Sequence, residues 1–284
     1  MSTDINRNST DPNKVAIWSV PRSLSTVLTR CISSSSAECE VYFEYYGTAC
    51  CFGPERVCSP PAFRGQPPKQ PEYSYEWVKK TLESDHTGKQ LIIVKDPAYT
   101  VKVDGNYDML PNGFKHTFMV RHPAKVFRSM AVMIKEMPFP IKSYLPNCRC
   151  IFQELVDLYK YVTDELHQHS VIVDADDLVQ NPEETLQLYC DAVDLTYDRQ
   201  MMKWSPSADP PSYWNMSPTF REMTSMLGIN HHAYQSTCVD QLKADGDVID
   251  MSKLSKEIQE LTDIALPSYK ELYEKRLRPG TQID

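Results

Sequence analysis

Apolar positions fall into short, nearly continuous runs separated by longer stretches of helical spacing. Val15-Ala16-Ile17-Trp18-Ser19-Val20, Val41 to Tyr45, Leu91-Ile92-Ile93-Val94, Thr117-Phe118-Met119-Val120 and Val171-Ile172-Val173 are rich in β-formers. They read as strands buried on both faces of a parallel sheet. After Pro21 the spacing changes, with Leu24, Val27, Leu28 and Cys31 on one helical stripe from Ser23 to about Ser33. Further helices are predicted over Tyr73 to Ser84, Pro123 to Lys135, Phe152 to His169, Pro182 to Val193 and about Lys253 to Arg276. Asn181-Pro182-Glu183-Glu184 supplies a cap residue, a proline at the first helical position and acidic residues in the first turn, which fixes one boundary.

Buried strands alternating with helices imply βαβ crossovers. The predicted fold class is α/β: an open, mainly parallel sheet of about five strands flanked by helices in three layers, P-loop-like, with its ligand site at the strands' carboxyl ends. Two segments break the pattern, Gly53 to Pro71 and Trp204 to Ser217, both dense in proline. Each reads either as a lid over a site or as a rigid surface loop. Residues 1–13 are polar and are expected to be disordered, with 14–284 forming a single domain. No stretch is apolar enough for a signal peptide or a membrane span, so the expected setting is cytoplasmic, with no membrane partner.

Composition changes this picture in two ways. A formal net charge of −8 argues against nonspecific nucleic-acid binding, so a polyanionic ligand has to meet a local cluster of Arg, Lys and backbone N–H groups. Nine cysteines, an odd number, read as reduced thiols. Cys50-Cys51, Cys58 and Cys148-Arg149-Cys150 contain no Cys-x-x-Cys pair, and no metal is expected.

The segment Ser19-Val20-Pro21-Arg22-Ser23-Leu24-Ser25-Thr26 carries the chemistry. A loop between a buried strand and a helix amino terminus offers free N–H groups and a favourable dipole to a phosphate. Ser23, Ser25 and Thr26 add hydroxyls, and Arg22 adds a forked cation suited to phosphate or sulfate. The pattern G-x-x-x-x-G-K-[ST] is absent, since Ser19, Leu24 and Ser25 stand where the two glycines and the lysine would be. An ATP-dependent kinase would lack the lysine that reaches its β and γ phosphates.

The string Ser19-x-Pro21-Arg22-Ser23-x-Ser25-Thr26 resembles the 5′-phosphosulfate-binding loop of sulfotransferases that use 3′-phosphoadenosine 5′-phosphosulfate (PAPS). Val120-Arg121-His122-Pro123-Ala124-Lys125-Val126-Phe127-Arg128-Ser129 is similar to that family's 3′-phosphate-binding segment, with Arg121 and Ser129 in the contacting places. Val171 to Leu178, followed by Asn181-Pro182-Glu183, is similar to the strand, acidic turn and helix that come next. The resemblance runs from Val15 to about Val193. It implies that Pro21, Arg22, Ser23, Leu24, Ser25 and Thr26 bind the 5′-phosphosulfate of PAPS, and Arg121 and Ser129 its 3′-phosphate. Independently of it, Arg121 ends a strand, Pro123 starts a helix and Ser129 falls two turns into that helix. The alternatives are a surface arginine at a helix start for Arg22, and an ion pair with Asp174 or Asp176 for Arg121.

Sulfuryl transfer needs a base for the acceptor's proton and cations for the departing phosphate. Glu44, at the end of Val41 to Tyr46, is the candidate base, and with Arg22 it makes up the expected catalytic pair. The alternative for Glu44 is an ion pair to Arg22 that organises the loop. Lys95 reaches the same edge, either toward acceptor or sulfate or simply into solvent. His116 and His122 are alternative bases. Phe220 in Ser217-Pro218-Thr219-Phe220 resembles the family's adenine-stacking position, although Thr219 replaces its usual glycine. Arg276 and Arg278 read as helix-end cations or as further 3′-phosphate contacts. The acceptor is expected to be a small molecule, and Phe63, Trp204, Tyr213 and Trp214 point to an apolar or ring-containing one. The alternatives are a kinase-like phosphoryl transferase and a catalytically inactive nucleotide-binding protein.

Overall fold

Alternating strand residues divide the core in two. Ala16, Trp18, Ile92, Val94, Phe118 and Val120 pack into one apolar layer, while Val15, Ile17, Leu91, Ile93, Met119 and Val173 pack into the other. A computed structural model describes residues 11–58, 68–135, 141, 145, 148–239 and 249–280. The strands are β1 (Asn13–Ser19), β2 (Cys39–Phe43), β3 (Leu91–Pro97), β4 (Lys115–Val120), β5 (Val171–Asp174) and β6 (Trp214–Asn215). They form one six-stranded sheet in the order β5-β4-β1-β3-β2-β6, and every pairing is parallel.

This is the predicted open, three-layer α/β sheet with one strand more. β6 was missed because two residues inside a proline-rich stretch show no periodicity. Trp214 nevertheless stacks on Phe43 of β2, with ring centroids 5.0 Å apart, and is wholly buried. Of the amino-terminal stretch expected to be disordered, residues 1–10 lie outside the described ones, and Asn13 already pairs with Leu91.

The layer containing Val15 and Ile17 is covered by α1 (Ser25–Ser33), α7 (Pro182–Ala192) and α8 (Pro218–Met226). The opposite layer is covered by α3 (Tyr75–Leu82), α4 (Pro123–Met133), α5 (Ile151–Lys160) and α10 (Lys256–Tyr273). α2 (Tyr45–Phe52) straddles the edge, giving Tyr46 and Ala49 to one layer and Phe52 to the other. Two short helices, α6 (Ala175–Gln180) and α9 (His231–Gln235), complete the set among the described residues. The helix predicted over Phe152 to His169 is α-helical only to Lys160 and continues as a wider π turn over Tyr161–Glu165. The Pro182 boundary is observed, although the Asn181 side chain makes no capping bond. Among the described residues, no helix is long and apolar enough to cross a membrane.

β1 lies between β3 and β4, so the chain winds to one side through β2 and β3 and then to the other through β4 and β5. The carboxyl end of β1 is therefore a topological switch point, where connecting loops diverge and leave a crevice.

Candidate functional site

Ser19 ends β1, and its hydroxyl bonds that of Ser25 at 3.0 Å, which closes the loop between strand and helix. Two residues of this loop without a glycine's freedom, Arg22 and Leu24, hold left-handed backbone at φ 65°. Such positions cost of order 1–2 kcal/mol each and persist where the surroundings over-determine them. Leu24 is the cap residue of α1 and supplies no side-chain cap; Val27 N–H donates to the Leu24 carbonyl at 2.9 Å, and the N–H groups of Ser25 and Thr26 at the helix terminus are left for a ligand.

The second predicted segment meets this loop across 107 residues of sequence: Arg22 Nε donates to Ser129 Oγ at 3.1 Å. Arg121 Nη1 donates to the Arg22 carbonyl at 3.0 Å, so the β4 arginine braces the left-handed turn from behind. Of the proposed ion-pair partners for Arg121, Asp174 accepts from the Tyr269 hydroxyl at 3.1 Å, and Asp176 pairs with Lys125 at 2.8 Å.

Glu44 follows β2, is buried, and holds left-handed backbone at φ 56° as the first residue before α2. Its carboxylate forms a close, buried ion pair with Lys95 from the end of β3. Of the two readings of Lys95, the solvated one is set aside, since Lys95 is buried against Glu44 at the cavity wall: adjacent parallel strands end side by side, and Phe43 pairs with Lys95 in register. The Lys95 ammonium also lies 4.6 Å from the centre of the Phe43 ring. The neighbouring carboxylate, Asp96, is turned away into the α2 amino terminus, accepting from Gly47 N–H at 2.8 Å and Tyr46 N–H at 3.2 Å. Burial, with Glu44 beside it, pushes the Asp96 carboxyl well up.

These groups line one cavity of about 700 Å³. Pro21, Arg22, Leu24, Ser25, Thr26, Glu44, Lys95, Arg121, Ser129 and Phe220 all reach its wall. Ser23 does not. It is buried beneath the loop, where its hydroxyl has no hydrogen-bond partner. Arg22, Lys95, Arg121, Lys125 and Arg128 face the cavity against the single carboxylate of Glu44 among the described lining residues. A chain of net charge −8 thus concentrates cations at one point, as a polyanionic ligand demands.

Sequence reasoning missed Asn230. Its side-chain oxygen accepts from the Thr26 hydroxyl at 3.0 Å, while its amide nitrogen is buried without a partner at the cavity wall. An unsatisfied buried donor beside the loop fits an incoming phosphoryl oxygen. The signal available was Gly228-Ile229-Asn230, a turn in which both Gly228 and Asn230 hold positive φ. Lys125 and Arg128, from the same segment as Arg121 and Ser129, also line the cavity.

Other expectations fail on position. His116 sits at the amino end of β4, away from the cavity, and its Nδ1 accepts from the Trp18 indole at 2.9 Å. Burial pushes its imidazole down to about 4, so it stays neutral in the folded chain. The unfolded chain therefore binds the extra proton between about pH 6.5 and pH 4, and this contribution to stability is full above 6.5 and lost as pH falls through that window. Denaturant unfolding of His116→Gln should accordingly lose less stability than wild type between pH 6.5 and 4, and parallel losses would remove His116 as the cause.

His122 caps α4, its Nδ1 accepting from Ala124 N–H at 3.3 Å, and burial lowers its pKa. Arg276 binds Asp177 at 2.7 Å, and Arg278 donates to the Glu274 carbonyl at 2.9 Å, so both are helix-end cations in structural contacts. Trp204 packs against Arg30, Tyr213 contacts the Ser33 hydroxyl, and Trp214 belongs to the sheet; none lines the cavity. Phe63 lies outside the described residues. The apolar wall comes instead from Pro97, Tyr99, Met130, Val132, Met133 and Leu145. The Trp204 to Ser217 segment is largely an exposed surface loop that ends by joining the sheet edge at Trp214–Asn215.

No protein-family model matches the chain, and no curated protein matches it. Solved structures do. A sulfotransferase domain from the curacin biosynthetic pathway matches with a TM-score of 0.48 and 14% identity, over 92% of this chain and 99% of that one. The sulfotransferase domain of the Synechococcus PCC 7002 olefin synthase matches with a TM-score of 0.49 and 18% identity, over 90% and 95%. A mouse sulfotransferase complexed with PAP matches with a TM-score of 0.44 and 11% identity, over 92% and 89%.

Proposed function

We propose that the chain transfers a sulfuryl group from PAPS to a hydroxyl or amine of a small-molecule acceptor. The observation that carries this reading is the Arg22–Ser129 bond. It brings the loop after β1 and the second turn of α4 together at one uncapped helix terminus, so two anionic groups of a single nucleotide can be held side by side. PAPS supplies an activated sulfuryl group and a bisphosphate leaving group.

The chain supplies the rest. Arg22, Ser25, Thr26 and the α1 N–H groups hold the 5′ end, Asn230 adds its free amide donor, and Arg121 with Ser129 holds the 3′-phosphate. Glu44 takes the acceptor's proton, and Lys95 neutralises charge on the departing phosphate side. Pro97, Tyr99 and the α4 side chains Met130, Val132 and Met133 exclude water and receive the acceptor, which favours a largely apolar molecule.

The competing kinase reading requires carboxylates to hold magnesium between phosphates. Among the described lining residues Glu44 is the single carboxylate, and Asp96 is committed to α2. Thermal unfolding separates the two readings. Adenosine 3′,5′-bisphosphate at about 100 times its Kd should stabilise the fold by about 2.7 kcal/mol, and ATP with Mg²⁺ should not. The reverse order would replace sulfuryl transfer with phosphoryl transfer.

A further inference from the structure

Cys50 and Cys51 occupy the last turn of α2, and Cys58 follows a short loop. The spacing has no metal-binding signature, yet the loop folds the third cysteine back onto the first two. Gly53 makes this possible: a Cβ there would lie 2.2 Å from the Tyr73 carbonyl and 2.7 Å from that of Ala49, so only glycine lets the chain leave α2 along this path. The N–H groups of Val57 and Cys58 then both donate to the Cys50 carbonyl at 3.1 Å. On the other side, Gln70 N–H donates to the Phe52 carbonyl at 2.8 Å, and the Lys69 ammonium to the Pro54 carbonyl at 2.6 Å.

The result is a triangle of sulfurs. Cys58 Sγ is 3.0 Å from Cys51 Sγ and 3.4 Å from Cys50 Sγ, and all three lie within 4.8 Å of one another. Even the smaller carbon atoms rest at about 3.5–4.0 Å when unbonded, so neutral thiols this close have only weak S–H···S bonds to set against the crowding. A shared cation gives the convergence a reason. Metal–sulfur bonds of about 2.3 Å place tetrahedral thiolates roughly 3.8 Å apart, a spread within reach of small side-chain rotations. The ligand set is purely soft sulfur, which selects Zn²⁺ or Cu⁺ over the hard ions.

We propose that Cys50, Cys51 and Cys58 form a three-thiolate site for one thiophilic metal ion, clamping the carboxyl end of α2. Binding releases the three thiol protons as the three metal–sulfur bonds form, with no change of oxidation state. A tetrahedral ion retains one position for water or an added thiol, and a trigonal one is satisfied by the three sulfurs. The clamp matters to the cavity because Cys51 lines it and Glu44 stands at the other end of the same helix. The metal site does not depend on the assignment of sulfuryl transfer.

The test uses the full chain, reduced and metal-free, titrated with Co²⁺ as a spectroscopic stand-in for Zn²⁺, and separately with Cu⁺ against a chromophoric chelator. One equivalent should bind with a thiolate charge-transfer band, and the two titrations decide which ion the site prefers. Loss of an outer-shell partner alone typically weakens metal binding 10–100-fold, so Cys58→Ser should weaken it by at least about 100-fold. The exposed Cys150→Ser should bind as wild type does. In the unmutated chain, bound metal should protect Cys50, Cys51 and Cys58 from alkylation, as read by mass spectrometry, while Cys150 stays reactive; this readout stands even if Cys58→Ser misfolds. Unchanged affinity in a folded Cys58→Ser, protection of other cysteines instead, or no uptake by the reduced chain would each overturn the site.

Discussion

Arg22→Ala lowers kcat/KM for sulfuryl transfer by about 10²–10³, the loss that follows removal of one pre-organised donor to developing charge, equivalent to roughly 2.7–4 kcal/mol. The cost to folding should be small. The half-buried hydrogen bond of the side chain to Ser129 is worth about 0.5–1.5 kcal/mol. The left-handed turn does not depend on it, because Arg121 grips the Arg22 carbonyl, which alanine retains. Alanine at φ 65° bears the same steric penalty as arginine, so the loop keeps its shape while losing its fork. Arg22→Lys separates charge from geometry and should recover only part of the rate, since an ammonium cannot hold two oxygens in one plane. Steady-state kinetics paired with denaturant unfolding measures both effects. An Arg22→Ala enzyme with full activity would sink the assignment, and one that still binds adenosine 3′,5′-bisphosphate as tightly as wild type would move the anion site elsewhere.

Sheet and loop were legible because their signals are local. Val15 to Trp18 is apolar without interruption since β1 is central and buried on both faces, and the switch from strand to helical spacing at Pro21 marks where the chain turns. Arg121 and Ser129 stand out through the resemblance to the family's 3′-phosphate segment, with which a strand end, a proline and a two-turn offset within ten residues agree. What was not legible depends on contacts between distant segments. Lys95 pairs with Glu44 because β2 and β3 end in register, a fact of sheet order that no single stretch contains. Asn230 reaches Thr26 from 204 residues away. The aromatic residues Trp204 and Trp214 read as pocket walls but are consumed by packing on α1 and β2, whereas the methionines of α4, unremarkable in sequence, form the apolar wall. The cysteine triangle escaped for the same reason, since ligand spacing assumes a simple turn and Gly53 folds the chain back more tightly than that.

Glu44→Gln should lower kcat by about 10²–10⁴ with little change in KM for PAPS, the range expected when a positioned proton acceptor is removed. Stability complicates this variant, because Lys95 is left as a buried charge facing a neutral amide, and breaking a buried pair from one side costs about 3–5 kcal/mol. Lys95→Met should show the same penalty from the other side. Combining Glu44→Gln with Lys95→Met removes both charges and should recover much of the lost stability, since an apolar replacement of a buried pair is often neutral. It should recover no activity. Comparison with Lys95→Met alone distinguishes a base from a strut: if Glu44 serves only to hold Lys95, the double variant turns over as fast as Lys95→Met, whereas loss of a base slows it by a further large factor. A chain that binds nucleotide without turnover gives a third outcome, in which wild type and Glu44→Gln are equally inactive toward every alcohol, phenol and amine offered. Unchanged kcat in Glu44→Gln with a good acceptor would take the proton-accepting role away from Glu44 altogether.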